Sequence, residues 1–191
     1  MPSRKPKQGF KPIIDVAVFV ATMVAVHFLW KWTVIGDETG TEVSWFGIDL
    51  SVPLGIVTQH VANTVYWLVS LVRPTVHIED TTIWFDSGSA TTIVWGCSGI
   101  KQAIVWLGVM LTTRSWTANK LVVWGQKLAF LPVGWLCCYL FNIFRITLIT
   151  FAIEFHPDWF GILHDWILKY LFYLMLFGLW AIFAEKIRSA V

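Results

Sequence analysis

Charge is what this sequence has least of. Acidic and basic residues make up 14% of its 191 residues, against roughly 25% in a soluble globular domain. So little charge excludes a fully hydrated surface. A net charge of +2, scattered along the chain, excludes the basic stripe that nucleic acid requires, so no nucleic-acid partner is expected. Cysteine is scarce as well. Of the three, Cys137 and Cys138 adjoin within an apolar run and Cys97 stands alone, which excludes a disulfide framework. Asp, Glu and His form no cluster suited to metal or phosphoryl chemistry, so neither a metal nor a cofactor is expected.

What remains is apolar. The chain is 57% hydrophobic and carries 13 tryptophans, a residue that anchors at membrane interfaces. This predicts an integral membrane protein with one compact domain over 13–191, preceded by a basic tail, 1–12, with Arg4, Lys5, Lys7 and Lys11. The run 13–32 is long enough to cross about 30 Å of hydrocarbon and is too long for a signal-peptide core, so it reads as a retained anchor. The polar stretch 36–51 reads as an extracytoplasmic loop. In 53–72, Gln59, Asn63, Tyr66 and Ser70 recur at helical spacing, which predicts an amphipathic helix at the outer surface or against the bundle. Alternation at 76–79 and the turn-like Asp86-Ser87-Gly88-Ser89 before Thr91 and Thr92 predict a small β-hairpin. It leads directly to Trp95-Gly96-Cys97-Ser98-Gly99-Ile100.

The expected fold is all-α and polytopic: four to five transmembrane helices, an amphipathic helix and that hairpin. Spans at 13–32, 98–113, 120–142 and 165–184 place the basic groups at 1–12, 114–120 and 186–188 on the cytoplasmic side, provided 53–72 does not cross. Cys97 and the turn 156–165 then lie on the outer face. At 1.5 Å per residue an unbroken helix carries Arg145 about 39 Å from Asn119, to the same boundary.

Three residue types with chemistry therefore meet at one surface. Cys97 precedes an apolar helix, where unpaired N–H groups and the helix dipole favour a thiolate. Gly96 and Gly99 permit close backbone approach. Asn142 and Arg145 are three apart and share a helix face. An ionisable group amid apolar neighbours is a functional candidate, although Arg145 alone reads equally as a snorkelling arginine. His164 precedes the last span, with His156 as a similarly placed competitor. His27 and His60 read as packing or interface residues, and Lys101 as a snorkelling side chain.

Taken together, Cys97-Ser98-Gly99-Ile100, Asn142-Ile143-Phe144-Arg145-Ile146 and His164-Asp165, in that order along a polytopic chain, resemble the exosortase/archaeosortase family over about 75–185. The resemblance implies a membrane-embedded cysteine transpeptidase or protease. Its partners would be exported proteins with a C-terminal sorting signal: a motif, a transmembrane helix and a basic cluster. Cleavage near the motif would pass the new carboxyl end to an envelope acceptor. The family's catalytic residues would fall on Cys97, Arg145 and His164. Asn142, Ser98, Gly99 and Asp165 are candidates for substrate binding or for support of that set. Adjacent helical residues point apart, so Asp165 is not expected to orient His164. Larger members have more spans, so this chain resembles a compact core version in a prokaryotic cytoplasmic membrane, with its active site outside. The alternative is a non-catalytic membrane protein that binds lipid head groups through Arg145 and Lys101, or a partner helix, with Cys97 merely structural.

The charge pattern yields a direct test. Reporter fusions after residues 90 and 117 should report opposite compartments, with 117 cytoplasmic. Both reporters on one side would invalidate the predicted orientation.

Overall fold

A computed structural model describes residues 11–36, 42–113 and 120–189. The expectations for the tail before residue 11, the acidic residues at 37–41 and the basic loop at 114–119 lie outside the described residues, as do the side chains of the closing basic group at 186–188. The described chain runs α1 (Lys11–Thr33), β1 (Val34–Gly36), β2 (Val43–Trp45), β3 (Ile48–Asp49), α2 (Ser51–Ser70), β4 (His77–Glu79), β5 (Thr82–Trp84), β6 (Ala90–Thr92), α3 (Ile100–Thr112), α4 (Lys120–Phe155) and α5 (Leu168–Ser189).

The segments Ile13–Thr33, Leu121–Phe155 and Pro157–Glu185 are each long and apolar enough to cross a membrane. Their outward faces carry large exposed apolar side chains such as Val20, Leu128, Leu140 and Leu174, as lipid contact requires. The protein is thus a multi-pass, mostly helical membrane protein. The fourth helix of the bundle, α3, has 13 residues and reaches only about 20 Å. Its end is fixed from α4: the Lys127 ammonium donates to the Leu111 carbonyl at 3.1 Å, a cation where the helix dipole favours one.

Helix α4 differs from the expected span. It runs unbroken for 36 residues, through Pro132, or about 54 Å at 1.5 Å per residue. That exceeds the roughly 30 Å of hydrocarbon, so one end projects beyond it. A second layer packs on the C-terminal part. Val61, Val65 and Val69 of α2, Ile83, Phe85 and Ile93 of the second sheet region, and Ile143 and Ile146 of α4 form one buried cluster. Helix α2 is not among the helices apolar enough to span, in keeping with the expected amphipathic helix. Its polar stripe is used locally: the Gln59 amide donates to the Asp80 carbonyl at 2.8 Å.

The sheets correct the sequence reading. The hairpin is present as β5–β6, but β4 pairs with β5 to make three antiparallel strands. The first sheet in chain order, β1–β2–β3, also three-stranded, occupies part of the stretch read as a loop. Its tight turn is Phe46-Gly47, both at positive φ (49° and 81°). This is the geometry of a two-residue hairpin, in which Asn-Gly or Asp-Gly is the recognisable signal; Phe-Gly carries it weakly. The sheet fixes the start of α2, because Ser51 Oγ accepts the Val43 N–H at 2.9 Å and Asp49 accepts the Ser51 N–H at 2.8 Å.

The membrane core is built on small residues, which let helices approach closely in lipid. A Cβ on Gly108 would lie 3.0 Å from Val26, so α3 lies close against α1 there. A Cβ on Gly134 would overlap the indole of Trp106, which is almost wholly buried with Val105, Cys138, Phe172 and Leu176. Gly134→Val should therefore destabilise the bundle by about 1–3 kcal/mol, the usual cost of overpacking. Thermal unfolding in detergent reads this as a lowered midpoint. Gly125→Ala, where a Cβ would meet nothing, should leave it unchanged.

Candidate active site

The second sheet delivers the chain to a single tight turn, Trp95–Cys97, closed by the Cys97 N–H donating to the Val94 carbonyl at 2.8 Å. Ser98 and Gly99 follow, and α3 begins at Ile100. Cys97 is thus half-buried in the turn before α3, not in its first turn. Gly99 has φ +81°, the left-handed region that glycine adopts without strain. A Cβ there would also lie 3.1 Å from the Asn142 side chain. Gly96 serves a different purpose from the close approach expected: a Cβ would meet nothing, and the residue lines an open cavity.

Helix α4 supplies the opposing groups. Asn142 has no solvent exposure and Arg145 has 8%. Asn142 Nδ2 donates to the Cys97 carbonyl at 2.7 Å. One turn further along, Arg145 donates from Nη2 to the His164 carbonyl at 3.4 Å. It is also close enough to Cys97, Asp165 and Tyr173 to interact electrostatically with each. The face shared by Asn142 and Arg145 therefore joins the turn before α3 to the turn before α5.

His164 lies in a wide helical turn, Ile162–Ile167, with i to i+5 character. This overturns the expectation that Asp165 points away. The wider turn puts Asp165 Oδ1 2.9 Å from His164 Nδ1. A carboxylate only accepts, so Nδ1 carries the proton, and in the neutral imidazole Nε2 is the free acceptor. The imidazole is further fixed by stacking on Phe160 at 5.0 Å. His156 is apart from this set, exposed at the end of α4 and stacked on Trp159 at 4.8 Å. His60 hydrogen-bonds Tyr139 at 3.0 Å, and His27 lies 3.4 Å from the Tyr173 hydroxyl. Among the described hydrogen bonds none joins Cys97 Sγ to His164; catalytic contacts are often long without substrate.

Sequence reasoning missed Tyr173, which faces Arg145, and Lys169, whose charge reaches Lys101 at the start of α3. They stand four apart on α5, a spacing that puts them on one face, and that periodicity was the available signal. It also misjudged the thiol. Burial pushes Cys97 up from its ordinary value; the Arg145 charge and a hydrogen bond from Val94 pull it down, but less. Chemically, the arrangement is a desolvated thiol opposed by a permanent cation, with an oriented imidazole near that cation.

A protein-family model described as Transmembrane exosortase matches residues 39–181. No curated protein and no solved structure matches the chain. The match takes in β2, β3 and α2, well upstream of the motif-bearing stretch 75–185.

The electrostatics predict a pH profile. With Cys137 and Cys138 changed to Ser, alkylation of Cys97 by a neutral reagent should rise with pH to a midpoint above the roughly 8.5 of a free thiol. Arg145→Gln should move the midpoint higher still, because it removes a charge that favours the thiolate. A midpoint below about 8 in the native chain would contradict this account of the thiol's environment.

Proposed function

This chain belongs to the transmembrane exosortase family, and we propose that it is the catalytic cysteine transpeptidase or peptidase which that membership suggests. Its substrates would be exported proteins bearing a C-terminal sorting tail. The reading is supported above all by two hydrogen bonds from residues one turn apart on α4, Asn142 to the Cys97 carbonyl and Arg145 to the His164 carbonyl. Together they bring three sequence-distant motifs to one place.

The chemistry follows from the groups present. His164 Nε2 takes the Cys97 proton, and the thiolate attacks the scissile carbonyl carbon. The new C–S bond moves the carbonyl electron pair onto oxygen. Arg145 stabilises that oxyanion, since a guanidinium keeps its charge and presents a planar fork of donors. The intermediate collapses, the C–N bond breaks, and the proton held by His164 passes to the leaving amine. A thioester remains on Cys97. Water or an amine acceptor attacks it while His164 takes the acceptor's proton; the C–S bond breaks, and that proton returns to the Cys97 sulfur to regenerate the thiol. Asp165 holds the His164 tautomer with Nε2 free, and its charge also faces Arg145. Asn142, Ser98 and Gly99 hold the turn that carries the thiol. We assign the site to the outer face of a prokaryotic cytoplasmic membrane on the distribution of basic residues.

Processing of a tail-bearing protein in membranes tests the roles. Cys97→Ala should abolish cleavage while the variant stays folded and membrane-bound. His164→Ala should cost about 10²–10⁴-fold in rate, the usual value of a general base. Arg145→Lys should fail badly, Asp165→Asn should lose less than His164→Ala, and His156→Ala should change little. Cys137 and Cys138 should tolerate Ser. Cleavage that survives Cys97→Ala would favour the non-catalytic, lipid-binding alternative.

A further inference from the structure

Beside the catalytic turn lies a cavity of about 280 Å³ bordered by Trp30, Lys31, Val34, Trp95, Gly96, Ser98 and Lys101. Cations dominate it. Lys101 feels the charges of both Lys31 and Lys169, and His27 feels all three lysines. No carboxylate among the described residues lies within ion-pair distance of Lys31, Lys101 or Lys169. Like charges drawn together at a membrane boundary, with no described carboxylate paired to them, favour an anion between them. Beside the two lysines that border the cavity stands Ser98, itself only 7% exposed. Its Oγ accepts the Ile100 N–H at 3.4 Å, and its hydroxyl proton has no acceptor among the described hydrogen bonds.

Depth and size narrow the anion's identity. Lys31 is in the last turn of α1, Lys101 in the first turn of α3 and Lys169 near the start of α5, so all three sit at one membrane boundary. Lipid phosphates lie at that level, where basic pockets between helices hold anionic head groups. The cavity is slightly smaller than the range typical of a drug-sized ligand, which suits a phosphate with its glycerol better than a length of polypeptide. Trp30 and Trp95 supply the amphipathic walls that interfacial tryptophan provides. We infer that this cavity binds the phosphate of an anionic membrane lipid, held by Lys31, Lys101 and the Ser98 hydroxyl next to Cys97. This site does not depend on the transpeptidase chemistry, and the variants that test it leave Cys97, Arg145 and His164 intact.

Native mass spectrometry of the full chain in detergent, titrated with phosphatidylglycerol or phosphatidylcholine, tests the inference. The native chain should retain phosphatidylglycerol more tightly. Lys31→Gln with Lys101→Gln should weaken that retention by about thirtyfold, two interfacial lysines' worth of attraction, without changing the thermal midpoint. Lys101→Arg, which keeps the charge, should retain most of the phosphatidylglycerol binding that Lys101→Gln alone loses. Competition by millimolar inorganic phosphate would support the site with a soluble phosphate as its source; resistance to it would support the lipid. Equal retention of the two lipids, or unchanged retention by the folded double variant, would overturn the inference.

Discussion

One hydrogen bond organises the centre of this molecule: the Asn142 amide donating to the Cys97 carbonyl at 2.7 Å. It joins the extramembrane layer to the bundle. Cys97 is at the end of a path through the second sheet, whereas Asn142 is on α4, which continues from the bundle into that layer. The bond is buried, so a missing partner would cost about 1–3 kcal/mol, and its geometry restricts the sequence around it. Gly99 has to adopt φ +81° so that α3 can start at once, and it lacks a Cβ so that Asn142 can come close. Arg145 is one turn further along the same face, so the bond that fixes the thiol's turn also fixes its distance from the cation.

The length of α4 makes this possible. A helix of membrane length would end near Asn142 and leave Arg145 at a frayed terminus. At 36 residues it carries Ile143 and Ile146 into the cluster with α2 and the second sheet, so Asn142 and Arg145 are gripped from both sides. The far end is secured as well: Glu154 pairs with Arg73 at 3.2 Å, and Arg73 lies over the Phe155 ring at 5.1 Å. A loop after α2 is thereby tied to the last turn of α4. The projecting helix is a rigid post, and the site is mounted on it.

The helical part of this design was legible in the sequence because lipid imposes a length and a composition on anything that crosses it. Long apolar runs, the Asn142–Arg145 spacing and the Cys97 stretch between glycines were visible for that reason. The sheets were less so. Strands of two or three residues carry too little periodicity, and Phe46-Gly47 turns without the usual turn residues. The role of Asp165 was hidden by the assumption of a regular helix, since only a wider turn brings two adjacent side chains together. The state of Cys97 was misjudged because helix-end electrostatics were read without burial, and burial is the larger effect. Its amount is set by α2, the sheets and α4 together, which no local pattern encodes.

The raised thiol and the unpartnered polar atoms around it point to one consequence. Asn142 Oδ1 and Arg145 Nε are both buried without a hydrogen-bond partner, and such groups destabilise a resting fold. A thiol kept protonated by burial is at the same time a weak nucleophile. A peptide entering the site would change both conditions at once. Its carbonyl and N–H groups would supply partners to the orphaned atoms once the Asn142 and Arg145 side chains turn toward it, since both atoms are out of solvent contact in the empty site. Arg145, drawn toward the developing oxyanion, would act most strongly when the thiolate forms and attacks, because exclusion of water strengthens that interaction. In the proposed role, the site is stable but unreactive when empty, and binding energy from the substrate is converted into ionisation of Cys97. That suits a protease in a cell envelope, where an always-ionised thiol at an exposed face would be open to oxidation.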